Sequence, residues 1–292
     1  MVPMIEAPIF IVGLNKSGTS LLYLMLSRHP ALSAIRAFKR PKSAKNAGTT
    51  LNMEDHHIGE GQKIPDLIEK LRPASGSGRW ACPEFLDRYR LTEAEAEPGD
   101  RESVSAAYER AMTNPDARLV EKSPPNTVRT RFLQALFPDA TFIHIVRDPY
   151  ANIAANAKKR DKWGSTDEQA VHWAAANGTY LEDSARLTRA MTIRYEALVA
   201  RPDETLQAVC DFCGIEWSAE MMVPVEQGLN EEMTALLSKD EIDGISEIIS
   251  PRLFRAFGYR RKGSWRRLLP WPTVSRVRRS ASPARGGKTS AP

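Results

Sequence analysis

IFIVGLNKSGTS, residues 9–20, carries the fold of this chain in twelve letters. Ile9 to Val12 form an apolar, β-rich run too short for a helix, and the residues from Thr19 to Arg28 place their apolar side chains at helical spacing. Between them Gly13 and Gly18 have the G-x-x-x-x-G spacing of a tight phosphate-binding turn. A strand, a turn and a helix N-terminus in that order direct several backbone N–H groups, and the positive end of the helix dipole, at one point. The segment therefore reads as an anion site. Gly13 and Gly18 allow the turn and the close approach of a phosphate, and Ser17, Thr19 and Ser20 add hydroxyl donors.

In nucleotide triphosphatases the residue after the second glycine is a Lys that reaches the β and γ phosphates, and the next hydroxyl holds magnesium. Here Thr19 stands in that place and the cation comes earlier, as Lys16. An ammonium at the mouth of the loop lies where negative charge builds on an oxygen as a terminal group departs, and charge placed there is a large catalytic contribution.

Short strand-like runs recur at Ala31–Ile35, Ala117–Glu121, Thr141–Val146 and Met191–Tyr195. Helical patterns lie between most of them, at Asn126–Phe137, Ala151–Arg160, Asp167–Thr188 and Asp203–Cys213. This alternation predicts an α/β, P-loop-like three-layer fold with a central, mostly parallel sheet flanked by helices, and ligands at the carboxyl ends of the strands. Residues 1–263 form the expected domain. Phe38 to Pro115 reads as an insertion over the rim of the sheet with weak helical stretches at Pro65–Leu71, Glu84–Ala96 and Ser103–Met112. Residues 264–292 read as a basic, disordered tail.

The net charge of +5 is an average over two unlike parts: ten basic and no acidic residues lie from Arg260 onward, which leaves the preceding 259 residues at net −5. Within that end, SWRRLLPWP at Ser264–Pro272 mixes Trp265, Leu268, Leu269 and Trp271 with Arg266 and Arg267, a composition suited to anionic lipid headgroups or to docking on the protein itself. No recognition module accompanies the charge, so nucleic acid is not an expected partner. The start of the chain lacks the pattern of a secretory signal and no apolar run approaches the length of a membrane span, so the expected location is cytoplasmic, with membrane association on that face through the tail. Cys82, Cys210 and Cys213 form neither a disulfide framework nor a zinc set, and the last two are expected on the buried face of one helix. His29, His144, Trp163 and Trp173 are likewise read as structural.

At Asn15-Lys16-Ser17-Gly18-Thr19-Ser20 the sequence resembles the PAPS-dependent sulfotransferases, whose donor is 3′-phosphoadenosine 5′-phosphosulfate. The resemblance continues through EKSPPN at Glu121–Asn126, FPDATFIHIVRDP at Phe137–Pro149, the stretch Ile193–Ile215 and LFRAFGY at Leu253–Tyr259. It implies that Asn15, Lys16, Ser17, Gly18, Thr19 and Ser20 grip the 5′-phosphosulfate, that Lys122 lies near the transferred group, and that Tyr195 contacts adenine. It also implies that Arg147, at the end of the Thr141–Val146 strand, binds the 3′-phosphate, to which a guanidinium is suited. The family's hydroxyl eight residues on is absent, because that position is Ala155; Asn152, Asn156 or Lys159 is expected to assist instead. The co-substrate is PAPS, the product adenosine 3′,5′-bisphosphate, and no metal is required.

Sulfuryl transfer needs a base for the acceptor's proton. The candidates are Glu54, Asp55, His56, His57 and Glu60, in a stretch that looks like a loosened Pro-Glu-Asp-Glu-Gly-Gln of the bacterial branch; Glu54 is favoured, with His56 or His57 next. The acceptor is a hydroxyl or amine on a small molecule, lipid or glycan. The competing classes are a magnesium-dependent kinase or hydrolase and a non-catalytic nucleotide-binding protein at a membrane.

Overall fold

The computed structural model describes residues 5–37, 58–73, 78–157 and 163–263. Its sheet has five strands, β1 (Ile9–Val12), β2 (Leu32–Ser33), β3 (Arg118–Lys122), β4 (Thr141–Val146) and β5 (Ala190–Arg194), in the order β2-β3-β1-β4-β5. Every neighbouring pair is parallel. Parallel strands require crossovers over the faces of the sheet, so both faces are covered and β1 and β4 are buried throughout.

In β1 the residues alternate between two cores. Ile9 and Ile11 pack with α1 (Thr19–Ser27) and the helix Pro202–Cys213. Of the helices that follow α1, α2 is Pro83–Tyr89, α3 Asp100–Ala111 and α4 Thr130–Leu136, and it is on α3 and α4 that Phe10 packs. The Phe10 ring lies 5.6 Å from Phe142 and 6.0 Å from Phe137, centroid to centroid. The expected three-layer α/β architecture is thus present, with β1 at its centre.

Several boundaries differ from the sequence expectation. The strand expected over Ala31–Ile35 shortens to two residues, because the Ile35 N–H is taken by Tyr23 Oη at 2.8 Å and the Arg36 N–H by the Ala111 carbonyl at 2.8 Å. The helix expected over Asn126–Phe137 divides into a 3-10 turn, Pro124–Val128, and α4. At the break Arg129 is buried, donating to the Tyr89 carbonyl at 2.9 Å and the Leu71 carbonyl at 3.1 Å. Tyr195 opens a helix, Tyr195–Ala200, instead of ending β5. Part of what reads as an insertion is integral to the domain: Val104, Ala107, Tyr108 and Ala111 of α3 belong to the core beside Phe10.

Cys210 and Cys213 sit in the β1–α1 core, and burial pushes both thiols up to about 11. Trp173 is fully buried against Phe257, and His29 accepts from Ala31 N–H at Nδ1 while its Nε2 meets the Glu216 carbonyl at 2.7 Å. His144 stacks on Tyr180 at 3.9 Å and meets Asn177 Oδ1 at 3.1 Å. These residues are structural, as expected.

Burial holds His144 neutral, down to about 3, and does the same to His172. An unfolded imidazole takes up a proton near pH 6.5 that the folded one refuses, so the associated stability is complete above that pH and declines as pH falls toward 3. In urea titrations between pH 5.5 and 4, His144→Gln should flatten the dependence of unfolding free energy on pH by about 1.4 kcal/mol per unit relative to wild type. An unchanged slope would show that His144 protonates in the fold.

Candidate functional site

The three central strands end side by side: β3 delivers Lys122, β1 delivers the loop Gly13–Gly18, and β4 delivers Arg147. This is the carboxyl edge of a doubly wound sheet, beside the point where strand order reverses about β1.

The loop is held open toward that edge by its own backbone. Lys16 is left-handed at φ 66° and Gly18 at φ 95°, and the Ser17 N–H turns back to the Leu14 carbonyl at 3.1 Å. Gly18 is required twice, by its φ and because a Cβ there would stand 2.5 Å from the Tyr195 ring. Neighbouring elements take the outward-facing groups. Thr127 Oγ1 accepts from the Gly13 N–H at 2.7 Å and donates to the Pro124 carbonyl at 2.7 Å, which ties the turn after β3 to the loop. From α5 (Pro149–Ala157), Asn152 Nδ2 donates to the Asn15 carbonyl and to Ser17 Oγ, each at 3.0 Å. Arg147 Nη1 donates to the Lys16 carbonyl at 3.0 Å. The N-cap of α1, Gly18, offers no side-chain acceptor, and the first turn of that helix contains no acidic residue. The amides at the helix N-terminus therefore carry the positive end of the helix dipole with no acidic side chain in the first turn to offset it, an arrangement able to hold an anion.

Arg147 lies where expected but is already engaged. Besides Lys16, its Nε donates to Asn230 Oδ1 at 2.8 Å and its Nη2 to the Leu229 carbonyl at 3.4 Å, and its guanidinium stacks 4.5 Å from the Tyr195 ring centroid. Two of its five N–H donors remain for a ligand. Tyr195 thus lies beneath the loop, against Gly18 on one side and Arg147 on the other. Asn156 donates to Asn152 Oδ1 at 3.3 Å, extending the brace along α5, while its own Oδ1 is buried with no partner among the described residues. Ala155 packs with Ala151, Ala154 and Met233 in a small apolar cluster.

Lys122 is buried and pairs with Glu60, Nζ to Oε1 at 2.6 Å. Lys63 and Gln62 meet the other oxygen of Glu60 at 3.0 and 2.9 Å. Burial alone would raise the Glu60 carboxyl, but Lys122 and Lys63 outweigh it and hold the group at about 2. The structure therefore brings Glu60 to Lys122. The other base candidates, Glu54, Asp55, His56 and His57, lie outside the described residues, as do Lys159 and the tail from Ser264.

Sequence reasoning missed the residues that assemble these parts. Glu196 accepts from the Asp148 N–H at 2.9 Å, from Asn230 Nδ2 at 2.7 Å and from Tyr259 Oη at 2.8 Å, which fixes the clamp on Arg147 and explains why the LFRAFGY segment ends where it does. Isolated Glu and Asn residues carry no spacing signal, so the stretches Phe137–Pro149, Ile193–Ile215 and Leu253–Tyr259 marked the neighbourhood without singling out Glu196 or Asn230.

The helix Thr166–Ser184 runs antiparallel to β4: Asn177 is level with His144, and Trp173 Nε1 meets the Arg147 carbonyl at 3.3 Å. Its first turns therefore project past the catalytic edge. There His172 accepts from the Ala81 N–H at Nδ1, 3.1 Å, which places the proton of the neutral ring on Nε2. That N–H and the indole N–H groups of Trp80 and Trp163 are buried with no acceptor among the described residues. Among the same residues no three His, Cys, Asp or Glu side chains gather into a set that could hold a metal ion, and no helix is long and apolar enough to cross a membrane.

Comparisons with known proteins show what the chain is similar to in sequence and in fold. The nodulation protein NoeE of Sinorhizobium fredii is 28% identical over 260 residues, covering 75% of this chain and 52% of that protein. Protein-tyrosine sulfotransferase 2 of Gallus gallus is 24% identical, covering 72% of this chain and 52% of the other. The chain thus spans about half the length of these curated relatives. In fold it is similar to the sulfotransferase STF1 of Mycobacterium tuberculosis, with a TM-score of 0.58 at 15% identity over 84% of this chain and 78% of that one. A sequence profile described as Sulfotransferase family matches residues 8–219, from the start of β1 past the helix Pro202–Cys213, and the chain belongs to that family.

Proposed function

We propose that the protein transfers a sulfuryl group from PAPS to a hydroxyl or amine of its acceptor. The observation that carries this reading is the meeting of the uncapped loop at Gly18 with the buried Lys122–Glu60 pair along one strand edge. The loop amides, Ser17, Thr19 and Ser20 grip the 5′-phosphosulfate, with Asn15 at its base. Lys16 stabilises the phosphate oxygen that takes up charge as the sulfur–oxygen bond breaks. The remaining donors of Arg147 serve the 3′-phosphate, helped by the second N–H of Asn156 in place of the missing hydroxyl at Ala155, and the Tyr195 ring supports the adenine side.

Glu60 is the described residue best placed as base. While the site lacks a donor, Lys122 holds it ionised; an arriving sulfonate competes for that ammonium, which frees the carboxylate to accept the acceptor's proton as the new sulfur–oxygen bond forms. The products are the sulfated acceptor and adenosine 3′,5′-bisphosphate. The unpaired N–H groups of Trp80, Trp163 and His172, just past the edge, offer hydrogen bonds to oxygens of the acceptor. The acceptor is a small molecule, lipid or glycan, and the basic tail brings the enzyme to anionic membranes.

Calorimetric titration tests the donor class. Adenosine 3′,5′-bisphosphate should bind wild type and bind Arg147→Ala at least tenfold more weakly; a preference for ATP with magnesium would sink the reading. Once an acceptor is found, Lys16→Ala should lower kcat about a hundredfold with little change in donor affinity. Under the same assay Glu60→Gln should cost a comparable factor, and if Glu54→Gln alone does so, the base lies in the other stretch. Deleting residues 264–292 should weaken sedimentation with phosphatidylserine vesicles and leave donor binding intact; unchanged sedimentation would remove the membrane role.

A further inference from the structure

The transfer chemistry makes no use of the buried acid beside Lys122. Glu121 precedes Lys122 on β3 and is fully buried, yet both of its oxygens are bonded. Oε1 accepts from the Gly61 N–H at 3.0 Å and from the Ser123 hydroxyl, and Oε2 accepts from Asn126 Nδ2 at 2.9 Å. Ser123 Oγ in turn accepts from the Gln62 N–H at 3.0 Å.

These contacts have one common object, the 3-10 turn Gly61–Lys63. The opening amides of such a turn have no partner within it, and its N-cap residue, Glu60, makes no side-chain cap. Glu121 and Ser123 supply the missing acceptors from 60 positions away. The approach is close enough to demand a glycine: a Cβ at Gly61 would stand 2.6 Å from Glu121 Oε1. Consecutive residues of β3 thus grip consecutive residues of the turn, Glu121 holding Gly61 while Lys122 holds Glu60.

We propose that Glu121 is a positioning residue whose carboxylate fastens the Gly61 turn to the end of β3 and thereby keeps Glu60 on Lys122. The proposal rests on the reading of Lys122 and Glu60 as parts of the transfer site. Its geometry makes the fastening sensitive to protonation, since a proton on Oε1, which carries the bonds from Gly61 and Ser123, turns that oxygen toward donation and weakens its bond from the Gly61 amide. Burial pushes the Glu121 carboxyl up to about 7, against the opposing bonds from Ser123, Gly61 and Asn126 and the charge of Lys122. The other charged or titratable groups facing it are Tyr23 from α1, Tyr108 from α3 and Arg129 ahead of α4.

Hydrogen exchange on the full chain tests this between pH 5.5 and 8.5, corrected for the intrinsic rate. In wild type the peptide covering residues 58–64 should gain about tenfold protection as pH rises through about 7, while the β1 peptide shows no step. In Glu121→Gln that step should vanish, with protection at the low-pH level and adenosine 3′,5′-bisphosphate affinity within about threefold of wild type. A flat profile for residues 58–64 in wild type would overturn the proposal, and so would a step that persists in Glu121→Gln. If that variant does not fold, the wild-type profile decides alone. Failure of wild type to bind adenosine 3′,5′-bisphosphate would overturn the sulfuryl-transfer reading and leave the exchange profile to judge Glu121.

Discussion

A short backbone segment can present several N–H groups to one anion only if its carbonyls are held elsewhere. In residues 13–18 each restraint comes from a different neighbour: the Asn15 carbonyl is taken by Asn152 of α5, the Lys16 carbonyl by Arg147 at the end of β4, and the Leu14 carbonyl by the turn itself. Left-handed backbone at a residue with a side chain costs about 1 kcal/mol or more. The bonds to Asn15 and Lys16 hold that conformation at Lys16. The conformation of the loop is therefore a product of the whole strand edge, and β4, α5 and the turn after β3 are as necessary to it as its glycines.

The same edge sorts its charges by depth. Arg147 and Lys122 are both buried, a situation tolerated only for charges that are paired or hydrogen-bonded. Lys122 is paired with a carboxylate, and Arg147 is satisfied by carbonyl and amide oxygens and by the face of Tyr195. Arg147 thus braces the Lys16 turn and, in the proposed function, also retains donors for a second phosphate. This dual use bears on the missing hydroxyl at position 155. With Asn152 and Asn156 on the same helix already linked to the loop, the polar contacts of α5 run through those two residues, and position 155 is free to pack against Met233.

The strand–loop–helix, the parallel α/β class, the order of motifs and the roles of Lys16, Lys122 and Arg147 as edge residues were legible because each depends on local pattern: apolar runs of strand length, glycine spacing, and a cation at a strand end. Boundaries were less legible wherever a distant group competed for the backbone, as Tyr23 does at Ile35 and as the buried Arg129 does between the two halves of the expected helix. The segment after Phe38 reads as a rim insertion, since its polar composition hides the four residues of α3 that pack beside Phe10.

By itself the sequence determined which backbone can bend at residues 13–18, which segments must be buried on both faces, and that cations stand at the ends of central strands. Tertiary structure alone decided which carboxylate reaches Lys122, because Glu60 and Lys122 are 62 positions apart and meet only when β3 and the Gly61 turn are fastened together. It also decided that Glu196, Asn230 and Tyr259 converge on Arg147. The physical reason is range. Steric and hydrogen-bonding preferences of the backbone act over a few residues and are written in local spacing, whereas pairing between single polar side chains depends on the sheet order that brings them together.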